Sequence, residues 1–236
     1  EVIQNGNMST LNSKEEILLA EKLVELHPWS NMARFTRSGG EANAVAARIA
    51  RAATGKDNIA VCGYHGWHDW YLSSNLQNPN NLNNHLLNKL KVDGVPKSLK
   101  NTVFPFEYNN FSQLKEIVET QNIGTIKMEV VRNYEPKNNF LYKVRKLASE
   151  KNLILIFDEC TSGFRKNFGG IHMDYEIYPD IAIFGKALGN GYAINAILGK
   201  REIMEASNST FISSTFWTER IGPSAALETL KVMKEI

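Results

Sequence analysis

The chain has 236 residues, 43% hydrophobic and 22% charged, a balance that suits a globular protein with a sizeable core, as one large domain or two small ones. A formal net charge of +2, with lysines and arginines scattered rather than clustered, excludes a basic stripe able to track nucleic-acid phosphates. The longest apolar run, Leu153 to Phe157, is strand-sized and far too short to span a bilayer. Cys62 and Cys160 form no CxxC pair and no disulfide framework, which points to a reducing compartment, most simply the cytoplasm. Glu1 to Gln4 carries neither an initiator Met nor a signal-peptide pattern, and Leu227 to Ile236 stops inside a helical pattern. Both ends are therefore expected to belong to a longer polypeptide.

The elements alternate along the chain. Ser13-Lys14-Glu15-Glu16 is a capping box ahead of an amphipathic helix with Leu19, Leu23 and Leu26 on one flank, ended by Pro28. Ala33 to Thr36 is a short strand leading into Ser38-Gly39-Gly40. An alanine-rich helix follows from Glu41 to Ala53, with Gly55 placed to stop it. Asn58 to Tyr64 is strand-like, whereas Ser73 to Asn110 is rich in asparagine, lacks periodicity, and reads as a long irregular excursion. Helix 111–121, strand 123–129, helix 140–151 and strand 153–158 follow, then strands at Ile181–Phe184 and Ala193–Leu198. Strands separated by helices predict one α/β domain, a mostly parallel sheet with helices on both faces.

Chemistry-bearing residues fall where predicted strands end, the edge at which open α/β sheets collect ligands. Ser38-Gly39-Gly40 opens a helix, so its small residues let backbone N–H groups approach an anion such as phosphate; a plain glycine turn is the ordinary alternative. Ile154 to Phe157 is a buried strand running into Asp158 and Glu159. A carboxylate there could pair with a cationic ring nitrogen, or simply cap or salt-bridge. Lys186 follows the strand 181–184 with no acidic neighbour in sequence, as an amine nucleophile in apolar surroundings would; an ordinary solvated lysine is the default.

Taken together, Ser38-Gly39-Gly40-Glu41-Ala42-Asn43, Tyr64-His65-Gly66, Phe157-Asp158-Glu159, Ser162-Gly163-Phe164-Arg165 and Gly185-Lys186-Ala187-Leu188-Gly189-Asn190-Gly191 run in an order that resembles the class III aminotransferases. These are fold type I enzymes using pyridoxal 5′-phosphate (PLP). Within the group, the pattern is most similar to glutamate-1-semialdehyde 2,1-aminomutase and its aminotransferase relatives, from about Leu11 onward, with a poor fit only in the Asn-rich excursion. The resemblance implies the large domain of an aspartate-aminotransferase-type enzyme over residues 1–236, lacking an N-terminal segment and a C-terminal small domain.

It also implies roles. Lys186 would hold the cofactor as a Schiff base and shuttle a proton, and Asp158 would pair with the pyridinium nitrogen. Tyr64 would stack on one ring face and Cys160 cover the other, while His65 would orient groups near the ring. Gly39 and Gly40, following Ser38, would give N–H groups to the phosphate. Glu129 would lie on the cofactor's hydroxyl side, and Thr215 would reach the phosphate of a neighbouring subunit, implying a homodimer. The sequence departs from the pattern at Gly40, where Thr or Ser is usual, at Cys160, where Val is usual, and at Val130, which follows Glu129 in place of Pro.

Other readings fit less well. His65, His68 and Asp69 lack a distant third metal ligand, and Trp67 and Trp70 beside them suggest packing. There is no G-x-S-x-G, no Walker A sequence, and no third glycine to make Gly189-Asn190-Gly191 a dinucleotide fingerprint. A non-catalytic remnant kept for assembly is the competing functional class. It has no need of both Lys186 and Asp158.

Overall fold

In the computed structural model, which describes residues 2–8, 10–216 and 218–235, Ser13 caps the first helix by accepting from the Glu16 N–H. That helix, α1, spans Lys14–Leu26 and buries Leu19 and Leu23. Strand β1 (Met32–Thr36) leads into α2 (Gly39–Thr54), capped by the Ser38 hydroxyl at one end and by Gly55 at the other. Then come β2 (Asn58–Cys62), a single turn α3 (Asp69–Leu72) and a short strand β3 (Val103–Pro105). The alternation continues with α4 (Phe111–Thr120), β4 (Ile123–Glu129), α5 (Phe140–Glu150), β5 (Ile154–Glu159) and β6 (Ile181–Phe184). The described chain closes with β7 (Asn195–Gly199), a turn α6 (Arg201–Met204) and α7 (Ile221–Glu235).

The strands form one sheet in the order β1-β7-β6-β5-β4-β2-β3. β2 through β6 are mutually parallel, while β7 runs antiparallel to both β6 and β1, so β1 points the same way as the rest. The carboxyl ends of every strand except β7 therefore share one edge. The predicted α/β class holds, and the Asn-rich excursion contains an edge strand, β3, that its short length and Pro105 concealed. An edge position tolerates the proline because its missing N–H has no ladder to join.

β4, β5 and β6 are buried on both faces, and β5 and β6 accordingly read as nearly continuous apolar runs, whereas β4 carries Thr125, Lys127 and Glu129 on one face. Alternation sends Ile154 and Ile156 against Ala42, Ala46 and Ala50 of α2, and Leu155 and Phe157 against Phe140, Val144 and Leu147 of α5. Each such fully buried side chain contributes about 1.5–3 kcal/mol. The alanines let α2 lie close to the sheet, and this fixes where its N-terminus meets the strand edge.

A second cluster packs α1 and α7 over β6 and β7. Within it His27, at the end of α1, is fully buried; its Nδ1 lies 2.9 Å from the Leu23 carbonyl, and its ring is 4.7 Å from that of Phe184. Burial pushes its pKa down from about 6.5 to about 4, so the folded protein holds it neutral. The unfolded chain binds the extra proton between those values, so this share of stability is present above pH 6.5 and lost as pH falls toward 4. Linkage sets the loss at about 3 kcal/mol. Urea midpoints at pH 7 and pH 4.5 are expected to separate in the wild type and to converge in His27→Gln; an unaltered acid limb in the variant counts against the assignment.

Candidate active site

The shared strand edge gathers the residues singled out in the sequence. Asp158, at the end of β5, is buried, with Oδ2 2.9 Å from His65 Nδ1 and Oδ1 accepting the Cys160 N–H at 3.1 Å. Burial raises its pKa, but the His65 hydrogen bond, the charge of Lys127 and the Cys160 N–H together hold it well below the usual carboxylate range. His65 is fully buried, and its other ring nitrogen lies 3.2 Å from the Cys62 carbonyl. Both ring nitrogens thus lie within hydrogen-bond reach of an oxygen, which fixes the ring's orientation beside Asp158. The next carboxylate has a different task. Strand alternation turns Glu159 to the opposite face, where it accepts from the Ser162 hydroxyl and the Ile171 N–H at 2.8 Å each, and lies 2.5 Å from His172 Nδ1.

Lys186 follows β6 at φ +46, a left-handed conformation that costs a non-glycine residue roughly 1–2 kcal/mol. Its ammonium donates to the Thr161 hydroxyl at 2.7 Å. The lysine is exposed, not enclosed by apolar side chains; the apolar surroundings expected of it belong to β6 beneath. Glu129, at the end of β4, accepts the Tyr64 N–H at 3.0 Å and takes a two-pronged hydrogen bond from Arg132, which also donates to Thr161 at 3.2 Å. Thr161 thus receives two cationic donors and links Lys186 to the Glu129–Arg132 pair. Gly63 lets the backbone pass here: it sits at φ +105, and a Cβ on it would lie 2.6 Å from Glu129 Oε2.

At the N-terminus of α2, Ser38 caps, and Gly39 and Gly40 present first-turn N–H groups that have no helical partner. The missing hydroxyl at position 40 has a steric reason. A Cβ on Gly40 would fall 2.6 Å from the His68 ring, so His68 occupies the space a larger residue would need. Tyr64 is half-buried and packs edge-on against Tyr71, 6.2 Å away between ring centres. Cys160 is buried, with its sulfur 3.5 Å from Asn195 Nδ2. Thr215 stands apart from this cluster, exposed on the segment before Phe216, whose carbonyl Arg37 holds at 2.7 Å. A cavity of about 420 Å³ opens beside Glu129 and Arg132, walled by Asn84 and His85 from the Asn-rich excursion and by Tyr108 and Tyr134.

Thr161, Arg132 and Lys127 escaped the sequence reading. Thr161 could have been found from its place between Asp158-Glu159-Cys160 and Ser162-Gly163, and Arg132 from its spacing after Glu129. Lys127 left no such signal.

The family model for class III aminotransferases matches residues 3–236. The chain belongs to the class III aminotransferases. It is 35% identical over 243 residues to the 3-aminobutyryl-CoA aminotransferase of Cloacimonas acidaminovorans, covering 99% of this chain and 55% of that protein. It is equally 35% identical, over 230 residues, to the glutamate-1-semialdehyde 2,1-aminomutase of Methanobrevibacter smithii, covering 93% and 53%. Among solved structures, the FumI protein of Sphingopyxis sp. MTA144 in its PLP internal aldimine form superposes with a TM-score of 0.87 at 25% identity, over 99% of this chain and 55% of that one. An omega-transaminase from Sphaerobacter thermophilus shares the fold with a TM-score of 0.85 at 24% identity, over 98% and 56%. The chain thus spans about half the length of these relatives.

PLP is the cofactor of this family, and the residues present suit it. A buried carboxylate kept ionised can face a ring nitrogen, a lysine amine bonded to a hydroxyl is open to a carbonyl, and helix N–H groups at Gly39 and Gly40 can take a phosphate. Among the described residues no helix is long and apolar enough to cross a membrane.

Proposed function

We propose that this chain is the PLP-binding large domain of an enzyme that moves an amino group between an amino donor and a carbonyl, or within one molecule as an aminomutase. When bound, PLP supplies an electron sink for charge that develops on the substrate carbon. Asp158 receives the ring nitrogen and stays ionised because His65 and Lys127 face it. Gly39 and Gly40 hold the phosphate, with Ser38 fixing the helix start. Lys186 would hold the cofactor covalently through Nζ and would be the group to carry a proton there, with the Thr161 hydroxyl fixing the amine's position. Arg132 and Glu129 fix one wall, beside the cavity into which the substrate's remainder extends. Tyr64 and Cys160 flank the ring. The protein works in the cytoplasm as a homodimer, with Thr215 serving the partner's phosphate site.

The placement of Lys186 and an ionised Asp158 at the ends of neighbouring parallel strands carries this reading. Borohydride reduction of the full polypeptide incubated with PLP, followed by peptide mass mapping, is expected to leave a pyridoxyl group on Lys186. A folded protein unlabelled there sinks the proposal and favours the non-catalytic remnant.

A further inference from the structure

Lys127 lies in the middle of β4, between Val61 of β2 and Ile156 of β5 in register, and is fully buried. Among the described residues its ammonium has no hydrogen-bond partner, nor has the buried hydroxyl of Thr125 two residues before it on the same face. Two residues after it on that face, Glu129 stands opposite Asp158. The Lys127 Nζ lies 6.0 Å from the centre of the Trp70 ring. Trp70 in turn stacks on His65, with 6.3 Å between ring centres and 25° between planes, and His65 bonds Asp158. Lys127 therefore belongs to the buried cluster beneath the strand edge.

An unpaired ammonium in a core is costly, and an aliphatic side chain of similar length would fill the same space without that cost. Burial pushes the Lys127 pKa down to about 8, while Asp158 foremost, then Cys160 and Glu129, oppose the shift. What offsets the burial is thus chiefly the anion proposed to receive the cofactor.

Resting on the PLP reading above, we infer that Lys127 is a positioning residue for the cofactor ring: seated below Asp158, its ammonium shares that carboxylate's charge with the ring nitrogen and so sets how firmly the nitrogen is held. Asp158 then faces the His65 ring, the ammonium of Lys127 and the ring nitrogen together. Removing the ammonium leaves more negative potential for the ring, and in a dry interior such a change acts strongly. The effect is confined to ligands that carry a basic nitrogen at that point. A merely structural lysine would alter all ligands alike.

The test compares Lys127→Met with wild type, in the full polypeptide at pH 7, by measuring Kd for PLP and for its deaza analogue, which has CH in place of the ring nitrogen. The Met variant is expected to raise the preference for PLP over the analogue about tenfold, a size consistent with one partly screened charge. Should it fail to fold, Lys127→Gln carries the same comparison. An unchanged or reduced preference, with PLP still bound by the wild type, overturns the role of Lys127 alone. Binding of neither compound by the wild type overturns the cofactor reading and this inference with it.

Discussion

Lys186→Ala is expected to abolish borohydride-fixed cofactor and to lower amino-group transfer by at least about 10³-fold, within the range that a positioned proton carrier supplies. The loss should come without unfolding. Lys186 is exposed, makes one side-chain hydrogen bond, to Thr161, and packs no core; alanine inherits its left-handed backbone and a similar strain. A thermal midpoint within about 3 °C of wild type, together with the lost label, identifies chemistry as what was removed. If instead the variant transfers amino groups at the wild-type rate, Lys186 is not the reacting amine. If it loses both label and fold, the lysine is structural and the remnant reading gains.

Asp158→Asn is expected to harm folding as well as binding, because this carboxylate bonds the buried His65 ring and compensates the buried Lys127 ammonium. Removing the anion from a buried ionic cluster costs about 3–5 kcal/mol, since the partners are left uncompensated. For a chain of this size that is roughly a 6–15 °C fall in thermal midpoint. PLP affinity should fall further than that of the deaza analogue, because only PLP has a nitrogen for the aspartate to hold. The pairing of Asp158 with the ring fails if the variant binds the two compounds with unchanged relative affinity. Comparison with Lys127→Met is informative, for the two substitutions move that preference in opposite directions.

Much of the site was legible because its residues lie in short contiguous stretches where strands end. Asp158, Lys186 and the Ser38-Gly39-Gly40 turn each combine a local residue type with a local structural boundary, and both are written in neighbouring positions. The contacts among them were not legible. The His65–Asp158 hydrogen bond spans 93 positions and the Lys186–Thr161 bond 25. Such pairs exist only once β2, β4, β5 and β6 are laid into one sheet. From the residues alone Asp158 and Glu159 were an undivided pair of carboxylates; the family resemblance singled out Asp158, and the pleat shows why Glu159 turns instead to His172.

By itself the sequence determined the α/β alternation, the helix start at Ser13, the helix stop at Gly55, and which strand ends carry Asp158 and Lys186, because propensity, capping and period act within a few residues. Only the tertiary structure decided that β7 runs against its neighbours and that β1 closes the sheet beyond it, because strand order depends on which faces can be buried together. It also decided the fate of the charges. A lysine at position 127 or a glycine at position 40 is unremarkable in a linear chain. The first becomes a buried cation beneath Asp158 and the second makes room for His68, because packing brings distant groups within a few ångströms in a medium that screens charge poorly and leaves no spare volume.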